Sequence, residues 1–180
     1  MLSTIFKKKL SDDQLANVFV NGVLDVIDKG FPEVINLIKE DPAFITPPSL
    51  ANAKDGHFAM IVIVGNMSFV GDNFEPQQAV RVEKEIINKF AEAYDMPVSE
   101  FERYLKDYKG FISRANHPSK NMLYGMSKAV FHKYKLNDFQ DDYFKSLVCP
   151  NPLFLKRMDE VMEHFIWNWD AFFRKYKMVG

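Results

Sequence analysis

The run from Phe58 to Val70, FAMIVIVGNMSFV, limits what this chain can fold into more than any other feature. It carries no charge, and a segment this apolar has to be surrounded by protein or by lipid. It is shorter than the roughly 20 residues a membrane span needs, and Gly65, Asn66 and Ser68 interrupt it. Met60 to Val64 has the β-branching of a buried strand. No second strand-like run is available to pair with it, however, and a lone strand leaves its backbone groups unsatisfied. The expectation is a buried helix, with a strand over residues 58–70 as the competing reading.

A chain of 180 residues, 47% hydrophobic and 26% charged, can enclose such a helix within one domain. Helical signals fill the rest. Ser11-Asp12-Asp13-Gln14 reads as a capping box, followed by Leu15, Val18, Phe19, Val23, Val26 and Ile27 at helical spacing. Gly30 is expected to stop that helix and Pro32 to open a short second one. Pro42, Pro47 and Pro48 mark a loop over residues 41–49. Further helices are expected from Glu75-Pro76 to about Tyr94, from a Ser99 cap to Asn116, and around Met122 to Tyr134. A short one is capped by Asn137, and a long last one runs from Leu153 to about Lys177. The fold class is thus all-α, an irregular single-domain bundle of about eight helices over residues 1–180, with residues 1–10 as a possible flexible N-terminal arm.

The turn Gly71-Asp72-Asn73-Phe74-Glu75 lies between the apolar segment and the next amphipathic helix, with Met96-Pro97-Val98-Ser99-Glu100-Phe101 beyond it. Over residues 58–110 this pattern resembles the helical core of TerB-like domains, where the turn is acidic and linked to metal binding; Asn73 stands where that family has Gly. The spacing does not make an EF-hand loop, and helix capping by Asp72 or Asn73 accounts for the same residues. No metal and no resident cofactor are expected. His57, His117, His132 and His164 form no His-x-x-x-His or Glu-x-x-His pair. Cys149, the single cysteine, lies between apolar neighbours and reads as an inert thiol; it excludes an internal disulfide. No nucleophile elbow or Gly-rich phosphate loop is present, so nothing marks an enzyme. Asn66-Met67-Ser68 matches a glycosylation sequon by chance, because no secretory signal precedes it, and a cytoplasmic location is the expectation.

Charge is uneven although the net is −1. Residues 103–135 carry eight Lys/Arg against the single acid Asp107. Arg103, Lys106, Lys109, Arg114 and Lys120, with aromatics among them, could follow a nucleic-acid backbone. They could equally be solvated helix faces beside an aromatic core, and no nucleic-acid module is recognisable.

On a continuous last helix, Leu155, Met158, Met162, Phe165, Trp169, Phe172 and Tyr176 form an apolar stripe. Trp167 falls on the opposite face, among Glu160, Glu163, His164 and Arg174. A tryptophan there needs a cover. The candidates are the N-terminal arm with Leu2, Ile5 and Phe6, or a partner protein or second copy docking on Trp167 with the charged residues setting orientation. Protein–protein contact is therefore the first functional expectation. The alternative is a helical pocket for a small apolar ligand or cofactor, a lipid or a haem, supported by seventeen Phe and nine Met.

Overall fold

The capping box forms as the sequence dictates. Ser11 Oγ accepts from the N–H of Gln14 at 3.2 Å, and Gln14 Oε1 accepts from the N–H of Ser11 at 3.0 Å. The helix it opens, α1, runs Asp12–Glu40. The expected stop at Gly30 and restart at Pro32 do not occur. Pro32 sits inside the helix and costs about 3 kcal/mol, but the turns beyond it bury Val34, Ile35 and Ile38, each worth roughly 1.5–3 kcal/mol. Burial wins and the helix continues. Gly30 is small for a different reason: the ring of Phe165 lies over it, leaving no room for a Cβ.

The computed structural model describes residues 6–179, and eight α-helices carry almost all of its architecture. After α1 come α2 (Gly56–Met67), α3 (Pro76–Ala93), α4 (Val98–Asn116), α5 (Met122–Lys133), α6 (Asp142–Leu147), α7 (Pro152–Glu163) and α8 (Trp169–Lys175). Single 3-10 turns at Val70–Asn73 and Leu136–Phe139 link neighbours. The apolar run is helical, as expected. In α2, Phe58, Ala59 and every residue from Ile61 to Asn66 are buried, so the helix has no solvent face. It is the central post, contacted by α1, α4 and α5; α3 packs on α1 and α4, and α7 packs on α5. Two ion pairs, Arg81 with Asp12 at 3.1 Å and Lys89 with Asp13 at 3.0 Å, clip α3 to the first turn of α1.

Several boundaries differ from expectation. Helix α4 starts one residue before Ser99, with Pro97 as its N-cap. Asp141, not Asn137, caps α6, and Asn137 Nδ2 donates to the carbonyl of Lys145. Val80, although apolar, faces solvent on α3 and is 68% exposed.

The long last helix is broken. It ends at Glu163, and residues 164–168 turn the chain before α8 begins. The cause is Asn66, fully buried on α2. Its Nδ2 donates to the carbonyls of Val62 at 2.9 Å and Phe165 at 2.8 Å, and its Oδ1 accepts from the backbone N–H of Trp167 at 2.7 Å. An amide that bonds both sides of a turn favours the turn over a continued helix, because a straight helix would leave Asn66 unsatisfied in an apolar core. The sequon at Asn66 is accordingly inaccessible.

Residues 8–10 are not a free arm. β1 (Lys8–Leu10) pairs in parallel with β2 (Tyr176–Met178), Lys8 opposite Tyr176 and Leu10 opposite Met178, and Leu10 is buried. The bidentate pair of Arg157 with Asp41, at 2.7 and 2.6 Å, joins α7 to the loop after α1. Burial works to raise the pKa of Asp41, but the Arg157 guanidinium and the Ala43 N–H outweigh it and hold the carboxyl below its usual value.

Asn66→Leu should destabilise the protein by about 1–3 kcal/mol for each of the two backbone groups it orphans, the N–H of Trp167 and the carbonyl of Phe165. Urea denaturation at fixed pH checks this, and an unchanged midpoint would remove Asn66 as the cause of the turn.

Candidate functional site

The elements that surround α2 meet unevenly at its N-terminal end, and a cleft of about 920 Å³ opens there. That volume lies in the range of small-molecule sites. Its floor is apolar, with Leu50, Ala59, Met60, Met96 and Phe101. Its walls are Leu24 and Asp28 from the middle of α1, the loop from Ser49 to Asp55, Tyr94 at the end of α3, Tyr104 and Tyr108 from the middle of α4, and Lys133 to Lys135 at the end of α5. Four of the seven tyrosines face this one cavity.

Each tyrosine is held differently. Tyr134 is structural as well as lining: its hydroxyl donates to the carbonyl of Lys54 at 2.8 Å and accepts from the N–H of Phe58 at 3.1 Å. Phe58 is the third residue of α2, one of the positions whose N–H lacks a helical partner, and Asp55 makes no side-chain cap there. A hydroxyl from 76 residues away thus caps the central helix. Tyr108 bonds His57, with Nδ1 to hydroxyl at 2.6 Å, and the His57 ring meets Tyr134 edge to face. Whichever partner carries the proton, the other nitrogen of His57 keeps a hydrogen-bonding function. Tyr94 stacks on Phe101, which stacks in turn on Phe90, making a ladder of three near-parallel rings. Tyr94 and Tyr104 remain 38% exposed.

The electrostatics are graded along the cleft. Burial first, then the carboxylates of Asp55 and Asp28, push Tyr94 up to about 12. Tyr134 is also pushed up to about 12 by burial, against the hydrogen bond from Phe58, with Asp55 adding to the rise. Both phenols are neutral at physiological pH. Burial, reinforced by the Lys133 ammonium, lowers the pKa of His57. Lys133 itself lies over the rings of Tyr108 and Phe111, 4.9 and 4.2 Å from their centroids.

Trp167 does not stand on a polar helix face, because the helix bearing that face ends before it. Its benzo edge lies against Gly22 of α1, where a Cβ would overlap it, and its ring meets Phe19, Trp169 and Phe172. Its Nε1 is buried without a partner. The cover is α1: of the N-terminal residues proposed for it, Leu2 and Ile5 lie outside the described residues and Phe6 is 89% exposed. Glu160, Glu163, His164 and Arg174 are all exposed, but the break at 164–168 separates Arg174 from the other three. His164 edges a smaller groove beside Trp167.

Arg103, Lys106, Lys109 and Arg114 line the solvent side of α4, and Lys120 is exposed in the following loop. At 100° per residue, Tyr104, Tyr108 and Phe111 lie on a different side of α4; Tyr108 and Phe111 pack against the core, while Tyr104 stays exposed. Basic and aromatic residues therefore do not alternate on one surface. At the acidic turn, neither Asp72 nor Asn73 caps α3, whose N-cap is Glu75 without a side-chain bond. Asn73 Nδ2 instead donates back to the carbonyl of Phe69 at 2.8 Å. Among the described residues no three His, Cys, Asp or Glu side chains come together as metal ligands would, and no helix is long and apolar enough to cross a membrane. Cys149 is exposed rather than enclosed by its apolar neighbours.

The chain matches no protein-family model, no curated protein and no solved structure at a significant level. The likeness of residues 58–110 to TerB-like domains is thus a likeness of helix pattern, without a family match behind it.

Sequence reasoning missed the cleft. The helical spacing of Tyr94, Tyr104, Tyr108 and Tyr134 is that of core residues, and His57 is one of four histidines that form no ligand pair in sequence. The usable signal is residue type: a tyrosine at core spacing can keep its ring in the core while its phenol reaches out, and Tyr94 and Tyr134 also stand at the C-terminal ends of α3 and α5.

The histidines give a pH prediction. His57 and His132 are both shifted down, chiefly by burial, with Lys133 and Lys128 respectively adding to the effect. The unfolded chain therefore takes up protons before the folded one does. Their stabilising contribution is complete above the ordinary value of 6.5. It declines as the pH falls below that, until the lower folded value is passed. Urea midpoints measured from pH 7.5 down to 5.5 should fall, and the fall should be smaller in the His57→Gln/His132→Gln double variant; equal slopes would refute the assignment.

Proposed function

We propose that this protein binds a small organic molecule in the tyrosine-walled cleft at the N-terminal end of α2. The observation that carries the reading is a cavity of about 920 Å³ whose floor is apolar and whose polar groups are few and convergent. The ligand's apolar body lies on Leu50, Met60 and Met96, with Phe101 buried behind Tyr94. The Tyr104 hydroxyl and the free nitrogen of His57 supply orientation. His57 and Tyr108 are hydrogen-bonded to each other, so the site is set before a ligand arrives, and less ordering is needed on binding. Binding is the activity proposed, because the apolar floor offers contact area and the paired His57 and Tyr108 fix its polar edge.

The test uses a neutral fluorescent probe, N-phenyl-1-naphthylamine, whose emission rises in apolar sites. Saturable enhancement is expected with the wild type. It should be lost in Ala93→Trp, which fills the cleft from an exposed position without disturbing the core. Enhancement that is absent, or that survives Ala93→Trp, would refute the reading.

A protein–protein role is supported by a separate observation. Tyr143, Leu147, Val148 and Leu153 are 57–68% exposed within eleven residues of chain spanning α6 and the start of α7. Clustered exposed apolar groups mark contact surfaces. If they join two copies, sedimentation velocity should show concentration-dependent association that Leu147→Lys abolishes; a monomer throughout would remove self-association.

A further inference from the structure

The cleft has two electrostatic ends, and they are not equally committed. At the α5 end, the Lys133 ammonium is already placed over Tyr108 and Phe111, and Lys135 lies beside Tyr134. At the α1 end, Asp28 and Asp55 border the cavity; Lys54 lines it too, but it is the two carboxylates that set the field at Tyr94. Neither carboxylate is in an ion pair among the described residues, although Asp12, Asp13, Asp25 and Asp41 all are. Asp55 occupies the N-cap position of α2 yet makes no capping bond, so its carboxylate is not consumed by the helix. Pro32 has no N–H, so the main-chain carbonyl of Asp28 also lacks its usual helical donor, and the same turn of α1 carries a further acceptor.

Between these carboxylates lies an aromatic surface. Tyr94 has one face stacked on Phe101 and is 38% exposed; Tyr104 is equally exposed but already carries the Arg103 guanidinium 5.8 Å from its ring centroid, so the ring left for a ligand is that of Tyr94. The face of a neutral phenol ring attracts cations through its quadrupole. Tyr94 stays neutral at physiological pH, because burial and the same two carboxylates oppose its ionisation. An exposed ring face beside unpaired carboxylates, over an apolar floor, is complementary to a cation that is large, weakly hydrated and attached to an apolar body.

We propose that the ligand of this cleft is an organic cation, with its ammonium group held at the Tyr94 end between Asp28 and Asp55 and its apolar body directed toward Met60 and Phe101. This inference rests on the reading of the cleft as a ligand site. A metal cation does not fit, because the acceptors stand among ring faces rather than around a point.

The experiment compares three probes of one shape by calorimetry: 4-hydroxyphenyltrimethylammonium, its neutral isostere 4-tert-butylphenol, and 4-hydroxybenzenesulfonate. The cation should bind at least tenfold more tightly than the neutral isostere, and the sulfonate weakest. The preference should shrink as salt rises, since the carboxylates are solvent-accessible. It should disappear in the Asp28→Asn/Asp55→Asn variant, whose two sites are exposed and whose melting temperature serves as the control for folding. Tyr94→Leu should weaken the cation more than the isostere. Equal affinity of cation and isostere, a preference unchanged in the double variant, or a preference for the sulfonate would overturn the cation inference while leaving the cleft a ligand site. If none of the three binds and the naphthylamine probe also fails, the cleft reading falls and this inference with it.

Discussion

One buried amide holds the second half of the molecule in place. Asn66 lies in the most apolar helix of the chain, where an unsatisfied polar group is expensive. Apart from one bond to the Val62 carbonyl of its own helix, it is satisfied by the backbone of the turn at 164–168. That turn seats the Phe165 ring against Phe58 and over Gly30, and it places Trp167 on Gly22. The two glycines of α1 are thus explained by a residue on α2 acting through a turn 99 to 101 positions away. With Trp167 and Trp169 both drawn inward, α8 folds back and delivers β2 to β1.

The fold class was legible because it depends on patterns that single segments carry. The apolar run favoured a buried helix over a lone strand because no partner strand was found, and the capping box marked the start of α1. What escaped were the cases where a distant residue overrules a local signal. Pro32 and Gly30 look like a boundary, and tertiary burial carries the helix through them. Residues 153–177 look like one helix because their spacing is unbroken, and the amide that breaks it is nearly a hundred residues upstream. Trp167 looked stranded on a polar face for the same reason: the face itself assumed a helix that Asn66 does not permit.

The cleft was illegible for a related cause. Its walls come from the middle of α1 and α4, the C-terminal ends of α3 and α5 and the loop before α2, so no stretch of sequence contains it. Its tyrosines satisfy the helical spacing of core residues and are partly core: Tyr94 continues a ring ladder from Phe90, and Tyr134 caps α2. The same side chains that stabilise the bundle therefore shape the cavity. The charge gradient across it is likewise assembled from separate segments, with Asp28 and Asp55 on one side and Lys133 on the other. The basic bias of residues 103–135 was visible in composition, but its division between the solvent side of α4 and the rim of the cleft was not.

The small parallel sheet gives the molecule a directional mechanical property. Because β1 and β2 run the same way, chain arriving before Lys8 and chain leaving after Met178 depart from opposite ends of the pair. Tension between those two points pulls the strands along their own lengths in opposite senses. The ladder hydrogen bonds, together with the bond from the Val179 N–H to the Leu10 carbonyl, are then loaded together in shear rather than peeled one after another. The helices between the strands lie outside that line of force and are shielded until the clamp slips.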